Sequence, residues 1–265
     1  MNTNVKIKRK KYLRTIGGSM EMLIEVKNLC KRYTAKADYT IKDINICGGA
    51  GEIIGVLGHN GAGKSTTIKC ITGMHPYEAG QILIGGHDLA SDSIEAKKNF
   101  GYVSDEHVLF EKMTGYEFIN FMADIYGVST EDRKKRVDRF QQLFALGGSI
   151  YNPISSYSHG MKQKISFMGA LIHNPKVFIL DEPMVGLDPY TASQVKVFFQ
   201  EHAKAGNLVL FSSHNLDVVE KLCNRVYIID QGRILEELDI AEFKKTGKDF
   251  EEYFLSITQR VAKVL

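Results

Sequence analysis

Gly58-His59-Asn60-Gly61-Ala62-Gly63-Lys64-Ser65 lies between an apolar run and a helical pattern. It fits GxxxxGK[ST], which average residue frequencies produce by chance in roughly one chain in a hundred of this length. The residues before it, Ile53-Ile54-Gly55-Val56-Leu57, read as a strand. Residues 65–72 after it read as a helix stopped by Gly73. Glycines let backbone N–H groups curl around phosphate oxygens with no Cβ in the way, and the helix N-terminus adds partial positive charge. In such a cradle Lys64 is placed to reach the β- and γ-phosphates of a nucleotide, and Ser65 to ligate Mg²⁺. The plain alternative is a tight strand–helix turn with an incidental lysine.

A second element lies downstream. Val177-Phe178-Ile179-Leu180 makes an apolar strand, and Asp181-Glu182 follow at its carboxyl end, the usual ligand edge of a parallel sheet. Successive strand side chains diverge, so the two acids can have two jobs. Asp181 can hold Mg²⁺ or its water, and Glu182 can polarise the attacking water.

Around these motifs the chain reads as α/β: a P-loop NTPase with a mostly parallel sheet core. An N-terminal antiparallel β region is expected from residues 23–26, from Ile41, Ile44 and Ile46, and from residues 81–84 with the turn Gly85-Gly86. Residues 112–175 form an inserted helical segment. Its first helix starts at Thr114 with Glu117 as a capping box, its second covers residues 131–146, and its third starts near Ser158. Strands return at 177–180 and 208–211, joined by a helix with Asp188 as N-cap and Pro189 at its first turn. A hairpin turns at Asp230-Gln231-Gly232. The expected organisation is a basic flexible tail over 1–19, one ATP-binding domain over 20–240, and a short helical extension over 241–265.

The 265 residues are 44% hydrophobic and 25% charged, an ordinary globular composition. The net charge of +3 comes from the tail, where Lys6, Lys8, Arg9, Lys10, Lys11 and Arg14 stand without an acid. The remainder is mildly acidic and not built to coat nucleic acid. The tail reads as a solvated arm, or as a contact with anionic lipid headgroups. Cys30, Cys47, Cys70 and Cys223 show no CxxC spacing, so they read as reduced thiols rather than a zinc site. No stretch approaches the roughly 18–20 apolar residues of a membrane span. The N-terminus lacks the apolar region of a signal peptide. At a membrane, another chain must supply the spans.

With these motifs in order, the sequence resembles the ATP-binding subunit of an ABC transporter, over residues 23–235. Tyr157-Ser158-His159-Gly160-Met161-Lys162-Gln163-Lys164 is similar to the family signature, usually LSGGQ, with His159 in place of the first glycine and Met161 in place of the glutamine. Val185-Gly186-Leu187-Asp188-Pro189 resembles the D-loop, and Ser212-Ser213-His214 the H-switch. Tyr33 resembles the aromatic that stacks on adenine. The resemblance implies that ATP lies against Tyr33, residues 58–65 and Thr66. It implies that Glu182, His214 and Lys64 act in hydrolysis. Ser158, His159, Gly160 and Met161 would meet the ATP of an opposite subunit, with Asp188 in the D-loop.

Mg²⁺ would be held by Ser65, Asp181 and Asp105. Asp105 stands close to where the family has its Q-loop glutamine, one methylene shorter and charged, and reads equally as an exposed loop acid. The implied partners are an integral-membrane permease subunit and a second ATPase subunit, in a homodimer or heterodimer, with no nucleic acid. The implied location is peripheral, on the cytoplasmic side of the membrane. The form of the signature, the 111–127 stretch and Phe250-Glu251-Glu252-Tyr253-Phe254 favour an ABC-2-like exporter. The alternatives are an importer ATPase or a soluble ABC ATPase acting on nucleic acid or ribosomes.

Overall fold

The computed structural model describes residues 21–34, 37–106 and 109–262. The basic tail expected over 1–19 lies outside them.

Two sheets stack around the chain's middle. The larger has the order β10-β9-β3-β8-β7-β6. Its strands are β3 (Ile53–Leu57), β6 (Phe100–Val103), β7 (Val177–Leu180), β8 (Leu208–Ser213), β9 (Arg225–Asp230) and β10 (Arg233–Asp239). All neighbours are parallel except the β9–β10 hairpin. The smaller sheet is antiparallel, in the order β2-β1-β4-β5. It contains β1 (Met22–Lys31), β2 (Ile41–Gly49), β4 (Ala79–Ile84) and β5 (His87–Asp88).

Strands β3, β7 and β8 are buried at every position, because both faces of the large sheet are covered. The period of two sorts their side chains. Phe178 and Leu180 enter one apolar cluster with Phe144, Phe167 and Phe199, while Val177 and Ile179 enter a second with Ile24, Ile44 and Ile54. Arg225 ties the two layers together. Its guanidinium bonds Glu52 at 2.7 Å, Glu237 at 2.9 Å and the Cys47 carbonyl at 2.8 Å.

The α-helices among the described residues are α1 (Lys64–Ile71), α2 (Ser93–Lys98), α3 (Gly115–Ile125), α4 (Thr130–Phe144), α5 (His159–Leu171), α6 (Pro189–Lys204), α7 (Leu216–Leu222), α8 (Ile240–Lys245) and α9 (Phe250–Ala262), with short 3-10 turns at Gly147–Tyr151 and Ile154–Ser156. The capping box at Thr114 is present. Helix α4 stops at Phe144, two residues short of the expected end, because Ala145 turns left-handed with φ 50°. Helices α2 and α7 and strand β6 had no clear sequence pattern. They are only six, seven and four residues long, too short for periodicity to register.

The parallel register sets the working edge. Leu57 pairs with Ser213, Leu180 with Phe211 and Val103 with Leu180. The glycine-rich turn, the Asp181-Glu182 pair, His214 and the Asp105 segment therefore all leave the sheet at one end.

Candidate active site

The loop between β3 and α1 needs its glycines at specific places. Gly63 sits at φ 104°, and a Cβ there would come within 2.8 Å of the Ile41 methyl. The turn delivers Lys64 as the first helical residue, 5% exposed. Its Nζ donates to the carbonyls of Gly58 at 2.9 Å and His59 at 3.1 Å. It also lies 3.3 Å from Glu182 Oε1. The ammonium thus rests under the loop on three oxygens, which are the kind of partners that phosphate oxygens replace.

Glu182 has a second partner, His214, whose Nδ1 is 3.0 Å from Oε2. An ionised carboxylate only accepts, so the imidazole carries a proton on Nδ1. Glu182 adopts φ 47°, unusual for a side-chain-bearing residue. Its N–H donates to Ser212 Oγ at 2.9 Å. The Ser212 hydroxyl in turn donates to Asp181 Oδ1 at 2.5 Å, and Ser65 Oγ donates to the same oxygen at 3.1 Å.

Asp181 Oδ2 is buried with no hydrogen-bond partner. Burial pushes the Asp181 carboxyl above the ordinary carboxylate range, partly offset by the two serine hydroxyls. An orphaned carboxylate oxygen beside a serine hydroxyl fits a hard divalent cation, which takes oxygen ligands and relieves the cost of the buried charge. Asp181 and Ser65 are the residues that fit Mg²⁺. Asp105 is exposed, accepts from the Glu106 N–H at 3.0 Å, and lines the same cleft as Asn60, Glu182 and His214.

Tyr33 is 57% exposed, and its hydroxyl is 3.3 Å from Thr66 Oγ1, over the first turn of α1. Its ring meets that of His75 edge-on. The ring of His59 packs on Phe254 of α9. Gly61 and Ala62 complete the turn, with Ala62 buried.

The signature residues sit at the start of α5. Ser158 caps it, accepting from the Met161 N–H at 3.3 Å. Met161 is partly buried against the core, and His159 bonds the Val185 carbonyl. Asp188 caps α6, accepting from the N–H groups of Tyr190 and Thr191 at 3.0 Å. Those bonds hold its carboxyl below the ordinary range.

The structure thus joins Lys64, Glu182 and His214 in one cluster and Ser65 with Asp181 in another, with Ser212 bonded to both acids. Sequence reasoning missed the role of Ser212, a small hydroxyl ending an apolar run beside two carboxylates.

A family model described as "ABC transporter" matches residues 41–185. The linearmycin resistance ATP-binding protein LnrL of Bacillus subtilis (strain 168) is 35% identical over 80% of this chain and 68% of its own length. The methionine import ATP-binding protein MetN of Clostridium acetobutylicum is 31% identical over 92% of this chain and 74% of its own. A solved ATP-binding subunit of an ABC transporter superposes with a TM-score of 0.83 at 31% identity, covering 89% of this chain and 99% of that one.

Proposed function

Because the chain belongs to the ABC transporter family as an ATP-binding, ATP-hydrolysing subunit, we propose that it drives export through a separate integral-membrane permease. Two such subunits close on ATP, in a homodimer or with a related chain, at the cytoplasmic face of the membrane. Among the described residues no helix is long and apolar enough to cross a membrane, in keeping with a permease made by another chain. The exporter reading draws its support from the signature and from the 250–254 segment. A match to a methionine import protein keeps import as the competing reading.

The observation that carries the chemistry is the sharing of Glu182 by Lys64 and His214. ATP entering the loop draws Lys64 onto its phosphates, away from the Gly58 and His59 carbonyls. Glu182 then loses the Lys64 cation beside it and can accept a proton from a water aligned on the γ-phosphorus. His214, protonated on Nδ1, can donate from Nε2 to a phosphate oxygen only when that nitrogen is protonated too. Ser65 and Asp181, with Asp105 as a further oxygen ligand, would hold Mg²⁺, which would supply neutralising charge on the phosphates. Tyr33 provides the adenine's stacking face.

The permease surface is assigned to the apolar patch after the Asp105 segment. Phe118 and Met122 pack inward, but Phe110 and Phe121 are 52% and 38% exposed, with rings 5.4 Å apart. The test is capture of the full chain from detergent-solubilised membranes, followed by flux in inside-out vesicles. An integral-membrane companion, ATP-driven accumulation inside the vesicles, and loss of both with Phe110→Glu and Phe121→Glu are expected. Ribosomal or nucleic-acid companions, or flux in the opposite sense, would contradict the proposal.

A further inference from the structure

The third signature position is histidine in this chain, where the usual form has its first glycine. The ring is turned back onto its own subunit. His159 Nε2 lies 3.1 Å from the Val185 carbonyl oxygen, 26 residues along the chain. A carbonyl only accepts, so Nε2 is the donor, whether the imidazole is neutral or charged. The ring also fills the space over Gly186, where a Cβ would come within 2.8 Å of Nε2.

Helix α5 makes a second contact one turn on. Gln163 Nε2 donates to the Pro183 carbonyl at 3.4 Å, and Gln163 is buried. The loop that these contacts hold starts at the proposed general base. The Val185 N–H donates to the Glu182 carbonyl at 3.2 Å, so Glu182 and Val185 close one turn. Glu182 itself is at φ 47°, a conformation that persists in a glutamate only when its surroundings impose it. The surroundings at this point are Ser212 on one side and the 183–187 loop on the other.

We propose that His159 is a positioning residue for hydrolysis. Its Nε2–H fixes Val185 against the first turn of α5, and the fixed loop holds the Glu182 backbone so that the carboxylate stays between Lys64 and His214. The role belongs to this chain's own ATP site and needs no contact between the ring and a nucleotide. It rests on the ATPase assignment, and the exchange measurement below reads the latch independently of turnover.

Three variants separate this role from bulk alone. His159→Gln places an amide N–H near the position of Nε2, His159→Asn falls short of it, and His159→Gly removes the donor. Hydrogen–deuterium exchange on the full chain is read over residues 183–188, beside steady-state ATPase with ATP and Mg²⁺. In the Gly and Asn variants the loop should exchange faster and kcat should fall about two- to tenfold, the span set by one net hydrogen bond. KM for ATP should stay unchanged. The Gln variant should return both readouts toward wild type. Wild-type loop exchange in His159→Gly, no difference between Gln and Asn, or faster exchange with unaltered kcat would each overturn the proposal. So would a loss confined to KM, which would put the ring on the nucleotide instead.

Discussion

Lys64 rests on three oxygens, two backbone carbonyls and one carboxylate, with the side chain almost wholly buried. Lys64→Ala removes the only side-chain cation that these contacts place at the glycine-rich turn, so the anionic phosphates lose their charged partner. Calorimetry should find ATP binding abolished, and unchanged affinity would sink the assignment of the loop. At this scale the sequence was informative. Short local patterns picked out Lys64, Ser65, Asp181 and Glu182, and the family resemblance picked out His214; the structure brings Lys64, Glu182 and His214 into one cluster and Ser65 with Asp181 into another. What local pattern could not reveal was the wiring. Ser212 bridging two acids is a contact across strands, and the His159 contact closes over 26 residues.

The strands that carry these side chains depend on a charge buried between the two sheets. Arg225 on β9 is 3% exposed and pairs with Glu52, itself 3% exposed. Arg225→Ala would take from Glu52 the cation it pairs with, and from the Cys47 carbonyl one donor, leaving it the Tyr227 hydroxyl. Breaking such a pair from one side costs about 3–5 kcal/mol. Denaturant unfolding should show a loss of that order; a change within 1 kcal/mol would mean that water reaches the gap. Element boundaries were legible where a cap or a long apolar period marks them, as at Thr114, Ser158 and Asp188. They were not legible for α2, β6 and α7, which take their structure from packing against neighbours rather than from a pattern of their own.

Across the whole molecule, stability and assembly are expected to respond to different groups. His202 is buried and His173 half-buried, and the loss of solvation pulls each imidazole down to about 4. The unfolded chain takes up these protons near pH 6.5, the folded chain only near pH 4. Stability at neutral pH is therefore lost as pH falls from about 6.5 to 4, by roughly 3 kcal/mol per histidine. His202 lies among Phe178 and Phe198, and its Nε2 has no partner. His202→Phe should therefore remove about half of the part of the acid slope that these two histidines contribute in thermal unfolding. An unaltered slope would place the sensitivity elsewhere.

The central claim is that Glu182 takes the proton from the attacking water, within a site that a second subunit completes. Glu182→Gln keeps the size and removes the charge facing the γ-phosphate, while Lys64, Ser65 and Asp181 remain to bind the nucleotide. The most direct measurement is single-turnover ATP hydrolysis by this variant, with light scattering followed in the same samples containing ATP and Mg²⁺. The account predicts hydrolysis slowed by about 10²–10⁴-fold, as for loss of a general base, together with accumulation of an ATP-bound dimer. Hydrolysis at the wild-type rate, with the chain still monomeric, would contradict it.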